Sequence, residues 1–92
     1  MKAAISIILG LAMLLLLPAE CQSAQDYSNQ AYGYFISGNY EQAATTYDQA
    51  IQLEPNITTL WNYKGRALAM LQRFDEAIYC IDRSISINPT SL

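Results

Sequence analysis

From residue 27 onward, apolar residues recur at spacings of three and four, the spacing that places them on one face of an α-helix. The first such stretch begins at Tyr27 and is broken by Gly38 and Asn39. A second stretch begins at Tyr40 and stops before Pro55, which cannot continue a helix. The pattern therefore predicts two short helices joined by a tight turn.

The same pattern then repeats, because residues 24–57 align with residues 58–91 at an offset of 34. The matched pairs are Tyr27 with Trp61, Ala31 with Gly65, Tyr34 with Leu68, Tyr40 with Phe74, Ala43 with Ala77, Tyr47 with Ile81, Ala50 with Ser84 and Pro55 with Pro89. We expect the small residues where paired helices cross, since close approach of two helices requires small side chains there. The aromatic residues are expected to fill the space around those crossings. The prediction is an all-α chain of four helices.

A period of 34 with an early aromatic residue, small residues at fixed offsets and a closing Pro resembles the tetratricopeptide repeat family. The resemblance implies an α-solenoid of two helix-turn-helix units, residues 24–57 and 58–91, wound as a right-handed superhelix. It also implies a module that binds other proteins and does not catalyse a reaction. The chain departs from the family pattern at Gln72, which stands where the first unit has Gly38, and at Ser84, where a core Ala is expected.

In this family the first helix of each pair lines a concave groove, and that implication selects the candidate partner-binding residues. They are Ser28, Asn29, Tyr32, Asn62, Tyr63, Arg66 and Met70. Aromatic, amide, Arg and Met side chains are typical of protein-binding surfaces. The alternative is an ordinary solvated helix face. Family members that grip the terminal carboxylate of a chaperone use Lys and Asn where this chain has Ser28 and Tyr32, so no such clamp is expected.

Residues 1–23 form a separate segment, predicted to be a signal peptide or signal anchor. The apolar run from Ala3 to Leu17 is as long as a signal core and shorter than the roughly 20 residues that a membrane span requires. We favour cleavage before Ala24, with cleavage after Cys21 as a second position. An uncleaved anchor and a lipoprotein acylated at Cys21 are the alternatives. The chain is thus expected to be exported and to meet a membrane only through this leader.

Composition narrows the function further. The formal net charge of −3 argues against nucleic acid as a partner, which would require clustered Lys and Arg. The chain has no His, no glycine-rich phosphate loop and no Cys pair with metal-ligand spacing, so no enzyme activity, cofactor or metal is expected. Cys80 is interpreted as a small buried hydrophobic residue.

Two further expectations concern single positions. Asn56 begins the sequon Asn-Ile-Thr, a weak glycosylation signal, and is equally well explained as the N-cap of the third helix. On the fourth helix Ile78 and Ile85 are predicted to point away from the helix pair, toward the place of a third repeat. Because repeats of this kind bury their apolar side against a neighbour, we expect self-association or a capping partner. All Lys and Arg after residue 24 lie in the second unit, which would favour head-to-tail contact.

The resulting hypothesis is an exported scaffold or adaptor that binds a peptide or protein in its groove. The alternatives are a membrane-anchored assembly factor with an uncleaved leader and the N-terminal piece of a longer repeat protein.

Overall fold

The computed structural model describes residues 22–90, and within that range the chain forms four helices and no strand. They are α1 Ala24–Ile36, α2 Tyr40–Leu53, α3 Thr58–Met70 and α4 Phe74–Ile87. Each helix packs against the next one along the chain, so α3 lies between α2 and α4. The predicted all-α helical-repeat fold is confirmed. Of the predicted leader only residues 22 and 23 fall within the described range. The prediction of a signal peptide or signal anchor therefore concerns residues 1–21, which lie outside it.

The helix starts differ in how their free backbone groups are capped. At α1, Ser23 and Asp26 form a capping box: the Asp26 N–H donates to Ser23 Oγ at 3.1 Å and the Ser23 N–H donates to Asp26 Oδ2 at 3.0 Å. The prediction that Asn56 caps α3 is wrong. Asn56 lies in the turn after Pro55, and the extended residue Ile57 is the N-cap, with no side-chain hydrogen bond. The sequon at Asn56 stays a prediction.

Both helix pairs turn through the same C-terminal motif. In the first turn, the N–H of Gly38 donates to the Phe35 carbonyl, and the N–H of Asn39 donates to the Tyr34 carbonyl. In the second turn, Gln72 and the residue after it repeat these two bonds. The motif places its central residue at positive φ, 87° for Gly38 and 63° for Gln72. Gln72 therefore adopts the left-handed conformation that glycine adopts with the least strain.

The core forms where the paired helices cross. Ala31 and Ala43 are completely buried and Ala77 is 4% exposed, which confirms the expected small-residue crossings. Gly65 continues this pattern, since a Cβ placed there would lie 2.9 Å from Ile81 Cγ1 and 3.3 Å from Cys80 Cβ. The α3–α4 crossing is thus too close for any side chain at Gly65 unless its neighbours shift.

Phe74 corrects the expectation that all repeat aromatics fill the core. Its counterpart Tyr40 packs edge-on against Phe35, with ring centroids 5.5 Å apart, and Phe35 in turn touches Tyr63. At the position matching Phe35 the second unit has Ala69, which is too small to cover a ring. Phe74 is therefore 58% exposed.

Polar contacts join the two helix pairs. The Lys64 ammonium on α3 contacts Asp48 Oδ1 on α2 at 2.5 Å. Arg73, at the start of α4, contacts Glu41 on α2 at 3.1 Å and Glu76 on its own helix at 2.6 Å. Trp61 Nε1 donates to the Pro55 carbonyl at 2.7 Å and so fixes the link between α2 and α3.

Candidate protein-binding face

Side chains of α1 and α3 form an aromatic cluster on one face of the helical array. Tyr32 and Phe35 on α1 each meet the Tyr63 ring of α3 edge-on, at centroid distances of 5.8 and 5.7 Å. The Arg66 guanidinium, which follows Tyr63 by one turn of α3, lies 5.2 Å from the Tyr63 centroid, within the range of a cation–π interaction. The structure therefore brings together three of the predicted partner-binding residues, Tyr32, Tyr63 and Arg66.

The members of this cluster differ in how much surface they offer. Tyr32 is 48% exposed and Arg66 is exposed, so both present side-chain surface to a ligand. Tyr63 is half-buried, because its ring also stacks on the buried Tyr47 at 5.8 Å with an interplanar angle of 15°. The Tyr63 ring therefore joins the surface cluster to the core, and truncating it would disturb both.

The other predicted residues lie on the same helices. Ser28 lies one turn before Tyr32 on α1, while Asn62 and Met70 lie one turn before and after Arg66 on α3. Ser28 and Asn62 are half-buried and Met70 is 57% exposed. Asn29 is turned toward a different neighbour, since its Oδ1 accepts a hydrogen bond from Gln25 Nε2 at 2.9 Å. The binding role of all seven residues stays a prediction.

Phe35 also belongs to this face, where the family pattern offers Phe35 or Ile36 as a groove position without choosing between them. It contacts both Tyr40 and Tyr63, so it links the two helix pairs. The sequence indicates where Phe35 lies, because Phe35 follows Tyr32 by three residues and therefore shares its helix face. Its contact with Tyr63 on the next repeat could not be predicted, since that contact depends on how α3 stacks in the array.

A second cluster surrounds Trp61 and lies between α3 and α4. Tyr79 meets the Trp61 ring edge-on at 6.1 Å, and the charged ends of Lys64 and Arg83 lie 5.8 and 5.4 Å from its centroid. Trp61 itself is half-buried and packs against the core. Tyr79 is 60% exposed, so this cluster offers surface of a similar composition on a different part of the molecule.

Cys80 is a free cysteine within residues 22–90, and its thiol is a candidate nucleophile. It is 2% exposed and unbridged. Burial raises the pKa of its thiol, with Asp48 and Glu76 adding to the rise and Lys64 opposing it. Because the thiolate is the reactive form of Cys, burial and the raised pKa both disfavour a nucleophilic role for Cys80. In the same part of the chain no three His, Cys, Asp or Glu residues are arranged to hold a metal ion.

Comparison with known proteins agrees with this architecture. Residues 29–91 match the tetratricopeptide repeat. The chain belongs to the tetratricopeptide repeat family. This family of helical repeats forms protein-interaction modules. None of the helices between residues 22 and 90 is both long enough and apolar enough to span a bilayer.

Individual relatives are larger proteins of which this chain matches a small part. It is 29% identical over 70 residues to the protein STIP1 homolog of Dictyostelium discoideum, covering 76% of this chain and 12% of that protein. It is 31% identical over 71 residues to the human mitochondrial import receptor subunit TOM70, covering 72% and 12%. Mouse tetratricopeptide repeat protein 12 is 29% identical over 63 residues, covering 68% and 9%. None of the three is named as an enzyme.

Proposed function

We propose that this chain is an exported adaptor whose α1–α3 face binds a peptide or a protein segment. The observation that carries the proposal is the edge-to-face series of Tyr32, Tyr63 and Phe35, with Arg66 at its border. Tyr rings provide large contact area with few rotatable bonds, and both Tyr and Arg are enriched among the residues that dominate the binding energy of protein interfaces. A relative named as an import receptor subunit is compatible with a receptor-like role.

The chemistry of the face indicates what it would recognise. Its most exposed large side chains are Tyr32, Arg66 and Met70. With no clamp of Lys and Asn, selectivity would come from packing against rings and not from a terminal carboxylate. We expect a ligand with apolar or aromatic side chains and an acceptor group within reach of Arg66.

The binding proposal is tested with two matched double variants. Tyr32→Ala with Arg66→Ala removes the accessible part of the face and leaves Tyr63 in place to support the core. Tyr79→Ala with Arg83→Ala removes the same two residue types from the exposed rim of the Trp61 cluster. Proteins captured from the exported fraction by the wild-type chain should be lost with the first variant and retained with the second. Equal capture by both variants would contradict binding through the α1–α3 face.

We propose export because of the leader at residues 1–23. The capping box at the start of α1 then affects which cleavage site is favoured. Cleavage before Ala24 would delete Ser23 and place a charged amine at the positive end of α1, where the helix dipole disfavours it. Cleavage after Cys21 would leave the Ser23–Asp26 capping box intact. We therefore favour a mature chain that begins at Gln22, in place of the cut before Ala24 that the leader pattern favours.

Mass spectrometry of the mature N-terminus tests the export proposal. A start at Gln22 supports export with the cap retained, and a start at Ala24 supports export without it. A start at Met1 supports the alternative of a membrane-anchored assembly factor, and a lipid-bearing Cys21 supports a lipoprotein.

A further inference from the structure

The outward face of α4 is apolar and uncovered within the described part of the chain. Phe74 and Ile78 are each 58% exposed and Ile85 is 36% exposed. Phe74 and Ile78, together with Ala77 and Ile81, border a pocket of about 350 Å³. The expectation that Ile78 and Ile85 point away from the helix pair is consistent with these exposures.

The first repeat shows what such a face binds, because its equivalent face is covered. The residues of α2 that lie 34 positions before Ile78, Ile81 and Ile85 are Ala44, Tyr47 and Ile51. Their exposed fractions are only 6%, 1% and 6%. The covering element is α3, which stacks Tyr63 on Tyr47 and buries Leu60 and Ala67.

The α2 and α4 faces also match in the positions of their carboxylates. On α2, Glu41 and Asp48 pair with Arg73 and Lys64, two cations that are nine residues apart in sequence. The matching positions on α4 are Asp75 and Asp82, and both are exposed. Neither forms an ion pair within residues 22–90. The α4 face therefore repeats both the apolar stripe and the two carboxylates of the α2 surface, which in this same chain seats helix α3 with Lys64 and meets Arg73 just beyond the turn that follows α3.

A second copy that docks through its own α1 or α4 does not complement this face. The α1 residues equivalent to the packed residues of α3 are Asp26, Asn29, Gln30 and Gly33, and all four are exposed. Helix α1 contains no Lys or Arg to meet Asp82. Contact between two α4 faces would bring like-charged carboxylates together, which disfavours it. The apolar run at residues 3–17 carries no cation either.

We propose that the α4 face is a docking surface for an amphipathic helix of a different protein, one that reproduces the chemistry of α3. That helix presents an apolar and aromatic stripe to Phe74, Ile78 and Ile85. It places one cation opposite Asp82 and a second, about nine residues later, opposite Asp75. This surface is separate from the α1–α3 face and does not depend on the function proposed for it.

A charge-exchange experiment tests this assignment. The probe is a fluorescein-labelled peptide with the sequence of residues 56–73, which contains α3 and both cations, and its binding to the full chain is followed by fluorescence anisotropy. Asp75→Lys with Asp82→Lys should weaken binding by about tenfold, because each attraction becomes a repulsion. The peptide with Lys64→Glu and Arg73→Glu should prefer that variant to the wild-type chain. A variant that merely unfolds cannot gain affinity for the reversed peptide.

Two controls make the result decisive. Glu54→Lys, an exposed charge change at the end of α2, should leave peptide binding unchanged. Ile78→Ser should weaken the binding of both peptides, since the apolar stripe serves either charge arrangement. Absence of saturable binding, or equal affinities of the two peptides for both forms of the chain, would overturn the proposal. A wild-type dimer in sedimentation that Ile78→Lys dissociates would also overturn it, because the occupant would then be a second copy.

Discussion

Gly65 on α3 lies so close to α4 that a Cβ at this position would be 3.2 Å from the carbonyl oxygen of Ala77. The same Cβ would be 2.9 Å from Ile81 Cγ1, which is closer than carbon atoms approach in a relaxed core. Gly65→Ala should therefore lower the free energy of unfolding. Overpacking costs about 1 to 3 kcal/mol, and the better helix propensity of Ala recovers up to about 1 kcal/mol of it.

Gly33 provides the matched control for this change. It lies in the last turn of α1, and a Cβ placed there would meet nothing within 4 Å. Gly33→Ala should then raise the free energy of unfolding by about 0.5 to 1 kcal/mol through helix propensity alone. Urea denaturation of both variants is the measurement. Equal shifts of the two midpoints would contradict a close α3–α4 crossing at Gly65.

Ala77 tests the same crossing from the other helix. It is 4% exposed, and Ala77→Leu adds bulk where α4 faces the Gly65 backbone. The expected cost is on the order of 1 to 3 kcal/mol of unfolding free energy. Ser86→Leu on the exposed side of α4 serves as the control and should change the thermal midpoint little. If the Ala77→Leu variant melts at the wild-type temperature, Ala77 does not belong to the core.

Ser84 is a buried polar residue whose replacement should stabilise the chain. Its side chain is completely buried, and Oγ has no hydrogen-bond partner within the described residues. Leaving a hydroxyl unsatisfied costs about 1 to 3 kcal/mol, and the first repeat has the completely buried Ala50 at this position. Ser84→Ala should raise the unfolding free energy by about 1 kcal/mol or more. Ser86→Ala, the same change on the exposed side of α4, should give only the smaller gain from helix propensity.

Gln72 carries backbone strain that its first-repeat counterpart avoids. Its φ of 63° lies in the left-handed region, which costs a residue with a Cβ about 1 to 2 kcal/mol. Gln72→Gly should raise the unfolding free energy by up to about 1 kcal/mol, since the more flexible unfolded chain offsets part of the relief. The reverse change, Gly38→Gln, should destabilise the first turn by a similar amount. Chemical denaturation measures both, and a loss of stability in Gln72→Gly would contradict the strained turn.

Local signals predicted most of the fold. The period of 34, the breaks at Gly38 and Pro55, and the small residues Ala43 and Ala77 are consequences of backbone geometry and of close helix packing, so they are visible in the sequence. The cap of α3 was mispredicted because Asn56 satisfies the residue preference for an N-cap while the turn at Pro55 places it one residue too early. Capping depends on the dihedral angles of one residue, which the sequence indicates only weakly.

The candidate face was predicted less completely, because its geometry depends on contacts between repeats. Whether a ring is exposed depends on its neighbour on another helix. Tyr63 reaches inward to Tyr47 and Phe35, whereas Phe74 stays exposed because Ala69 replaces the ring that would cover it. Both outcomes follow from residues on other helices, so periodicity along one helix could not separate them.

Tyr47 gives the chain a predicted weakness to alkali. The side chain is 1% exposed, and burial, with smaller contributions from the neighbouring Tyr63 and Tyr32, raises the pKa of its hydroxyl to about 12. In the unfolded chain the pKa of a Tyr hydroxyl is about 10. Between these values the unfolded chain releases its proton while the folded chain retains it, so the stability present below pH 10 is lost as the pH rises toward 12. The loss from this residue is roughly 2 kcal/mol.

Tyr47→Phe keeps the ring and removes the proton, so it should flatten the fall in unfolding free energy between pH 10 and 12. Tyr79→Phe is the control, because Tyr79 is 60% exposed and its removal should leave the alkaline slope of the wild-type chain unchanged. Urea denaturation at a series of pH values measures the slope for all three proteins. If the wild-type chain and Tyr47→Phe lose stability in parallel, other groups cause the alkaline unfolding and the Tyr47 hydroxyl is not held protonated by the core.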